Sequence, residues 1–339
     1  MVVATPHNPG MSWWSLLRES PTMYLAFLAM FGAIAGSFAS AAIYRIPREN
    51  LNLWKPARSF CPSCGHTLAW RDNLPILGWL LLRGQCRYCR ERFSPGYLVH
   101  EVVLAVAFVV AGLAWPGEAG PVALVLCCIA LTALWIATII DFQYLILPDG
   151  ITLGGIPFGI LASVLVPQFQ LWQEASERLP WGVSWFGMNA TSSPVAVALV
   201  SSLFGAAVSF GFMVGFRALF SYLWRQEALG FGDVKYLAAV GAFLGLEGAA
   251  WTLLAGVLVG VAMGLLNASR LVVVVRRRHR QRRRKVTLFQ DLATGWKLGR
   301  LIPFGPSLVV GTTLVMLAPL ETRQFFLVAW PNLLQDALL

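Results

Sequence analysis

The sequence predicts an all-α polytopic membrane protein with about eight transmembrane helices. Hydrophobic residues make up 57% of the 339-residue chain. Charged residues make up only 12% of it, whereas typical soluble domains contain about 25%. The third observation is a series of apolar runs, each long enough or nearly long enough to cross a bilayer as a helix. A soluble protein would need a very large water-free core to bury so many of them.

The apolar runs predict the order of the helices. A crossing helix needs about 20 mostly apolar residues. Seven runs approach or exceed that length, at 23–43, 97–115, 122–140, 151–166, 195–224, 249–266 and 303–320. We expect an eighth span that includes 235–246, because only that addition brings the basic segments to one side. About 12 helical residues reach only about 18 Å, so this span must begin nearer Glu227 or cross where the membrane is locally thin. The start of the chain lacks a basic region and a small-x-small cleavage site, so we expect the first span to be retained.

The positive charges are concentrated in two segments. Of the 26 lysines and arginines, nine lie in 45–92 and eleven in 270–300. Because cytoplasmic loops carry an excess of Lys and Arg, both segments are expected in the cytoplasm, with both termini outside and 167–194 as an external loop. We interpret the arginine-rich run as a contact with anionic membrane lipid. No aromatic residue interleaves its arginines, which disfavours nucleic acid as a partner.

Four cysteines in the first basic segment have the spacing of a metal site. Cys61 and Cys64 form one CxxC pair, and Cys86 and Cys89 form a second pair after 21 intervening residues. Two such pairs are typical of a four-thiolate zinc site. A reducing cytoplasm favours metal over disulfides. Four sulfurs leave no open position for water, so the zinc is expected to be structural.

Two aspartates at predicted membrane boundaries have no evident structural role. Asp141 ends a predicted span, where the helix dipole disfavours a carboxylate. Asp233 begins another, whereas Asp149 or Thr152 is expected to cap a helix. Charged groups near membrane depth are costly and are candidates for function. A carboxylate pair could hydrolyse a peptide, one member taking a proton from water while the other polarises the carbonyl and protonates the leaving nitrogen.

The residues around Asp233 suggest how a substrate would reach it. The segment GFGDVK places Gly230 and Gly232 just before the aspartate. Glycines allow another backbone to approach closely, and we expect them to admit an extended substrate segment. Lys235 is expected to favour the ionised form of Asp233, as is the start of the helix.

These segments resemble those of the type IV prepilin peptidases, bacterial membrane aspartic peptidases of the GxGD type, most of which also methylate the new N-terminus. The resemblance covers roughly residues 36–311. GSFASAAIYRIP resembles the family's opening motif, DNLPILGWLLLRGQC its cytoplasmic loop and IPFGPSL its last-span motif. DFQYLILPD and GFGDVK resemble its two catalytic segments.

The resemblance implies roles for individual residues. Asp141 and Asp233 match the family's catalytic aspartates, and the four cysteines match its zinc ligands. Gly84, two residues before the third cysteine, matches a glycine associated with methylation. Glu101 matches the acidic residue that closes the loop motif.

The resemblance also implies a reaction and a location. The leader of type IV prepilins or type II secretion pseudopilins would be removed after a glycine, at the cytoplasmic face of the bacterial inner membrane. S-adenosylmethionine would then methylate the new amine. The expected parts are an N-terminal segment with the first helix (1–43), the zinc-binding loop (44–96) and a transmembrane catalytic domain (97–339) that includes the basic loop 270–300.

Two alternatives remain open from the sequence. One is a peptidase without methyltransferase activity, which the mass of a processed pilin N-terminus would distinguish. The other is a transporter that uses Asp141 and Asp233 as proton or cation sites, since boundary carboxylates also serve that purpose. Cleavage of a prepilin by the purified protein would separate the peptidase from the transporter.

Overall fold

A computed structural model of the chain describes residues 19–48, 53, 58–114, 120–171, 179–189, 191–225, 229–281, 304–332 and 335. Within these ranges the protein is helical, and extended pairing is limited to two isolated bridges in the cysteine loop. Most of the N-terminal segment, the greater part of the basic run 270–300 and part of the predicted external loop lie outside the described residues.

The described residues form seven main helices. In chain order they are α1 Pro21–Arg45, α2 Gly96–Ala114, α3 Gly120–Tyr144, α4 Asp149–Leu165, α5 Pro194–Trp224, α6 Phe231–Gln281 and α7 Gly305–Leu317. Shorter helical segments are Leu77–Leu81, Gln168–Leu171 and Pro319–Gln324, with 3₁₀ turns at Trp70–Asn73 and Val183–Phe186 and a π turn at Phe325–Ala329.

Five of these helices are long and apolar enough to cross a membrane: α1, α2, α3, α5 and α6. They make this chain a multi-pass membrane protein. The helices α4 and α7 are also apolar but have only 17 and 13 residues. The predicted spans 235–246 and 249–266 both fall within α6, which is broken at Gly245, near the end of the first of them.

The break in α6 reverses the chain. Gly245 has a φ of 72° and a ψ of 178°, which are not helical. Before the break, Tyr236 Oη lies 2.6 Å from Thr312 Oγ1 on α7. After it, the carbonyl oxygen of Thr252 lies 2.6 Å from the position that a Cβ would take on Gly311. A straight helix would separate residues 236 and 252 by about 24 Å, so two arms (231–244 and 246–281) must fold back along α7.

Buried polar side chains satisfy the backbone beside this break. The carbonyl oxygen of Ala242 accepts hydrogen bonds from Gln170 Nε2 at 2.8 Å and from Ser202 Oγ at 2.6 Å. Ser201 Oγ donates to Gln170 Oε1 at 2.8 Å. All three side chains are buried. A buried carbonyl group needs such partners, so the described start of the 167–194 segment is part of the packed helical unit.

The chain divides into two compact units, Met1–Ile136 and Ala137–Leu339. In the first unit, α1 packs on α2 through glycines, since a Cβ on Gly32 would lie 2.6 Å from the Cα of Ala105. Small residues allow membrane helices this close approach. In the second unit, α6 packs against α4, α5 and α7. This unit contains both predicted catalytic aspartates.

Candidate active site

Asp141 lies in the last turn of α3 and is only 6% exposed. Its carboxylate accepts a hydrogen bond from the backbone N–H of Gly305, the first residue of α7. The first N–H groups of a helix have no partner within the helix, and they stabilise negative charge. The start of α7 therefore supplies the favourable partner that the C-terminal end of α3 does not.

Gly305 has no room for a side chain. A Cβ built on it would overlap Asp141 Oδ2 and would lie 3.4 Å from Leu147 Cδ1. Proline follows directly, at a position in the first turn where its missing N–H leaves no helical bond unmade. The Gly-Pro sequence therefore both begins α7 and admits the Asp141 carboxylate.

Asp233 is the third residue of α6 and is 8% exposed. Its carboxylate accepts a hydrogen bond from the backbone N–H of Gly230. Its own N–H donates to the carbonyl oxygen of Gly230 at 3.2 Å. Asp233 is thereby held at the entry to the helix, as the sequence predicts.

The two carboxylates are close enough to interact electrostatically. Leu147 lies beside both of the adjoining glycines and is 8% exposed. Its Cβ lies 3.0 Å from the position of a Cβ on Gly232, and its Cδ1 lies 3.4 Å from one on Gly305. The structure thus brings Asp141 and Asp233 together within the second unit and packs Leu147 between two backbone segments of the site.

The two glycines of GFGDVK differ in their surroundings. The direction in which Gly232 would carry a side chain is occupied by Leu147. At Gly230, the Asp233 Oδ2 atom, at 3.4 Å, is the one described atom within 4 Å of a built Cβ. Among the described residues the space beside Gly230 is therefore open, whereas Gly232 makes a packing contact with Leu147. The substrate approach past both glycines stays a prediction.

Lys235 forms an ion pair with Asp149, the first residue of α4. The charge of this lysine is therefore directed at Asp149, not at Asp233 as expected. The predicted capping role of Asp149 and Thr152 is wrong, because Pro148 precedes the helix and no side-chain cap bond forms there. Asp149 stands one position too far into the helix to cap it, and its carboxylate reaches across to α6.

The sequence assigns no individual role to two residues of this site, Gly305 and Leu147. Gly305 is recognisable in principle, because a Gly-Pro step inside an apolar segment marks a helix start that can receive an anion. Leu147 has no such signal. One leucine among many in an apolar chain reveals its contacts only when the helices are assembled.

The four predicted cysteines come together in the first unit. Their sulfur atoms all lie within 4.8 Å of one another, and the Sγ atoms of Cys61 and Cys89 are 3.8 Å apart. A tetrahedral zinc site with Zn–S bonds of about 2.3 Å separates its sulfurs by about 3.8 Å. The cluster therefore has the size and donor set of a four-thiolate zinc site.

The two CxxC segments fold as equivalent knuckles. Each begins with an isolated antiparallel bridge, Phe60 with Thr67 and Gln85 with Arg92. In each, the first cysteine bonds through its backbone to the residues four and five positions later. The bonds are Gly65 N–H to Cys61 O at 2.8 Å, Cys61 N–H to His66 O at 2.9 Å, Arg90 N–H to Cys86 O at 3.0 Å and Cys86 N–H to Glu91 O at 2.8 Å. His66 contributes its backbone here, and its ring lies on Tyr88.

Gly84 and Glu101 shape the segment between the knuckles. Gly84 has a φ of 67°, and a Cβ on it would lie 2.7 Å from Trp79 Cζ2. Glu101 is buried in α2, and its Oε2 accepts the backbone N–H of Ile76 at 2.6 Å. Ile76 has a φ of 62°, which is unusual for a β-branched residue. The carboxylate therefore holds a strained turn in place.

Comparison with known proteins gives matches over most of the chain. Residues 30–115 match the Bacterial Peptidase A24 N-terminal domain, and residues 128–265 match the Type IV leader peptidase family. The first match contains the four cysteines, and the second contains both aspartates. No solved structure gives a significant match.

Curated relatives agree with these family matches. A prepilin leader peptidase/N-methyltransferase from Klebsiella pneumoniae is 37% identical over 70% of this chain and 92% of the relative. A protein of the same name from Pectobacterium carotovorum subsp. carotovorum is 33% identical over 67% of this chain and 77% of its own. A type 4 prepilin-like proteins leader peptide-processing enzyme from Escherichia coli O78:H11 is 30% identical over 68% and 81%.

Proposed function

The chain belongs to the type IV leader peptidase family, and from this premise we propose that it removes the leader of type IV prepilins and type II secretion pseudopilins, with Asp141 and Asp233 as its catalytic residues. Its relatives are prepilin leader peptidase/N-methyltransferases, and this chain is a peptidase with methyltransferase activity. The alternatives of a transporter and of a peptidase alone are thereby set aside.

The observation that supports this assignment of the catalytic pair is the meeting of two buried carboxylates within one helical unit. Asp141 and Asp233 come from different helices, and each accepts a hydrogen bond from a backbone N–H. Two acids that are buried together are costly, so their presence needs a functional reason. Acid–base hydrolysis supplies one.

In the proposed reaction the two carboxyl groups hold one proton between them and bind a water molecule. The ionised group takes a proton from the water as its oxygen attacks the carbonyl carbon of the scissile peptide. The protonated group donates its proton to the carbonyl oxygen. When the carbonyl re-forms, the C–N bond breaks and the leaving nitrogen takes a proton from the pair. The products are a leader ending in a carboxylate and a mature pilin with a free amine.

The substrate is proposed to approach as an extended segment. A helical peptide has its carbonyl groups engaged, so the scissile bond must be unwound before water can attack it. The open space beside Gly230 supports this approach, because no side chain of the described residues separates that space from Asp233. Cleavage is proposed to follow a glycine.

The cysteine cluster is proposed to hold a structural zinc ion. Cys61, Cys64, Cys86 and Cys89 would bind it as thiolates and close a tetrahedron. Zinc would then join the two knuckles, which bury little apolar surface by themselves. With four protein ligands the ion has no open position for substrate, so the hydrolytic water is assigned to the aspartates alone.

The methyltransferase activity requires a methyl donor, which we propose to be S-adenosylmethionine. When bound, this donor supplies an electrophilic methyl group to the new N-terminal amine. The amine must be uncharged to accept the methyl group. The chain's own contribution is therefore to bind the donor and to keep the amine deprotonated.

We propose eight crossings of the bacterial inner membrane, with the active site at its cytoplasmic face. The two arms of α6 would each cross, as would the shorter helices α4 and α7. The reversal at Gly245 supports this count, because it turns one long helix into two antiparallel segments. In this topology both basic segments face the cytoplasm and anionic lipid, in agreement with the positive-inside rule.

A cleavage assay tests the proposed function. Purified full-length protein in detergent is expected to cut a synthetic prepilin once, after its glycine, and Asp233→Asn is expected to leave the substrate intact. Asp149→Asn is a matched control, because it changes a carboxylate at a neighbouring helix start. Cleavage by Asp233→Asn at the wild-type rate would contradict the proposal.

A further inference from the structure

A pocket lies in the first unit, beside the first knuckle. Its walls come from the end of α1, the loop that carries the knuckles and the first turns of α2. Asp72 and Trp79 line it, together with the aromatic side chains of Tyr44, Phe60, Phe93 and Tyr97. The hydrolytic mechanism uses none of these residues.

Two polar atoms of the pocket residues are buried without a partner. They are Asp72 Oδ2 and Trp79 Nε1, two of the four such side-chain atoms among the residues that the structure describes. Asp72 is 8% exposed as a residue. A buried carboxylate oxygen and a buried indole N–H both carry a substantial desolvation cost when they are left unpaired. A ligand that offers a donor to the first and an acceptor to the second would remove that cost.

The unpaired oxygen of Asp72 carries negative charge. Its other oxygen, Oδ1, accepts hydrogen bonds from Arg87 Nε at 2.9 Å and from Arg87 Nη2. These bonds hold the pKa of Asp72 below its ordinary value, against the opposing effect of burial. The guanidinium engages Oδ1 only, and Oδ2 is left without a described partner in a fully buried side chain.

The aromatic walls suit a flat or cationic ligand. Aromatic faces stack on planar rings and attract cations through the negative face of the π system. Tyr44 and Phe60 already pack edge to face, with ring centroids 6.4 Å apart. The residues of this pocket therefore favour a ligand that combines a positive charge, a hydrogen-bond acceptor and a planar ring.

We propose that this pocket binds S-adenosylmethionine, with Asp72 Oδ2 and Trp79 Nε1 as its polar anchors. The inference rests on the proposed function, which needs a methyl donor. The donor carries a sulfonium, an ammonium, a carboxylate and an adenine ring, which together match the aromatic walls and both unpaired atoms. The prepilin substrate, an apolar helix after its leader, has no comparable match.

Gly84 fixes the position of the tryptophan anchor. Its N–H donates to the carbonyl oxygen of Trp79 at 2.9 Å. A Cβ at Gly84 would lie 2.7 Å from Trp79 Cζ2 and would force the indole to move. Gly84 is thus a positioning residue for this pocket, acting through Trp79.

Direct binding of the donor tests the proposal. Equilibrium dialysis of radiolabelled S-adenosylmethionine against purified full-length protein is expected to give a dissociation constant about tenfold higher for Trp79→Phe than for the wild type, because phenylalanine keeps the ring and removes the N–H. Trp70→Phe is the matched control, since Trp70 lies on the same loop, is 78% exposed and does not line the pocket. It is expected to bind as the wild type does.

Photocrosslinking gives a second, positional readout. Irradiation of the wild type with the same labelled donor is expected to label peptides that contain Trp79 or Tyr97. Asp72→Asn, which removes the charge and keeps an acceptor, is expected to weaken binding, and its zinc content reports whether the loop has folded. Unchanged affinity in Trp79→Phe, or labelling confined to peptides outside the pocket, would overturn the assignment.

Cleavage by the same wild-type preparation separates this inference from the proposed function. Wild-type protein that cuts prepilin but binds no S-adenosylmethionine would refute the pocket and leave the peptidase assignment standing. Wild-type protein that binds the donor through Trp79 but cuts no prepilin would refute the peptidase assignment and support the pocket.

Discussion

The backbone N–H of Gly305 donates a hydrogen bond to the Asp141 carboxylate, and no side chain fits between the two residues. This contact joins the last turn of α3 to the first residue of α7. The position of one carboxylate therefore depends on where α7 begins, although α7 contributes no acid to the site.

Replacing this glycine is expected to inactivate the peptidase. In Gly305→Ala the new methyl group would displace the Asp141 carboxylate, and a shift of about 1 Å in a catalytic group can reduce the rate about 100-fold. The measurement is the turnover of a synthetic prepilin at matched protein concentration.

Gly215→Ala is the control for Gly305→Ala, because open space surrounds the position of a Cβ at residue 215. It is expected to cleave at nearly the wild-type rate. Wild-type turnover in Gly305→Ala would show that the contact with Asp141 does not position the carboxylate.

The contact between Gly232 and Leu147 leads to a second prediction about the rate of cleavage. Gly232→Val is expected to reduce cleavage by about 100-fold, because its branched side chain would push Leu147 into the site. Adding Leu147→Ala to that variant is expected to restore part of the rate by removing the atoms that collide.

The double variant distinguishes packing from substrate approach. If Gly232 instead admits the substrate backbone, shortening Leu147 would leave the valine in the path and the rate would stay low. Leu145→Ala is the control, because Leu145 lies in the same connecting segment and is 67% exposed. It is expected not to rescue Gly232→Val.

The aspartates illustrate what the sequence could predict. Charged residues are rare in an apolar chain, so each acidic residue needs an explanation. The sequence offers no convincing structural role for Asp141 or Asp233. The same reasoning found the cysteines, whose spacing alone indicates a tetrahedral site. The distribution of lysines and arginines predicted separate spans over 235–246 and 249–266, and the helix breaks at Gly245, one residue before the end of the first.

The partners of these residues could not be predicted in the same way. Lys235 is two residues from Asp233, yet it pairs with Asp149 on α4, because side chains two positions apart on a helix point in different directions. The bond from Gly305 to Asp141 joins residues 164 positions apart. Such contacts depend on how the helices assemble, and hydropathy does not encode that arrangement.

The cysteine loop is expected to contain one zinc ion per chain. Metal analysis of freshly purified, reduced protein should give about one equivalent, and replacing Cys61 and Cys64 together with serine should abolish it. Because the role proposed for this ion is structural, its loss is expected to reduce methylation more than hydrolysis. Metal-free wild-type protein that retains a folded loop would contradict this prediction.

The ion pair of Asp72 and Arg87 predicts a pH dependence of stability. The pKa of Asp72 is lower in the folded chain than its ordinary value of about 4. The pair therefore stabilises the fold above that ordinary value, and this contribution is lost as the pH falls through the folded pKa. The Tm of Arg87→Met is expected to lie below the wild-type Tm near pH 7, with the difference shrinking below about pH 4.

Arg92→Met is the control for this measurement, because Arg92 is an exposed residue of the same loop. Its Tm is expected to follow that of the wild type at every pH. A Tm difference for Arg87→Met that is constant from pH 7 to pH 3 would exclude the carboxylate as its cause.

The most direct test of the account is the rate of prepilin cleavage by Asp141→Asn, Asp233→Asn and the double variant under single-turnover conditions. Catalytic groups that act as a unit are non-additive, so removing either one costs about as much as removing both. We predict that all three variants lose nearly all activity and share the same residual rate. Wild-type cleavage by either single variant, or a double variant slower by the product of the two single effects, would contradict a shared catalytic role for Asp141 and Asp233.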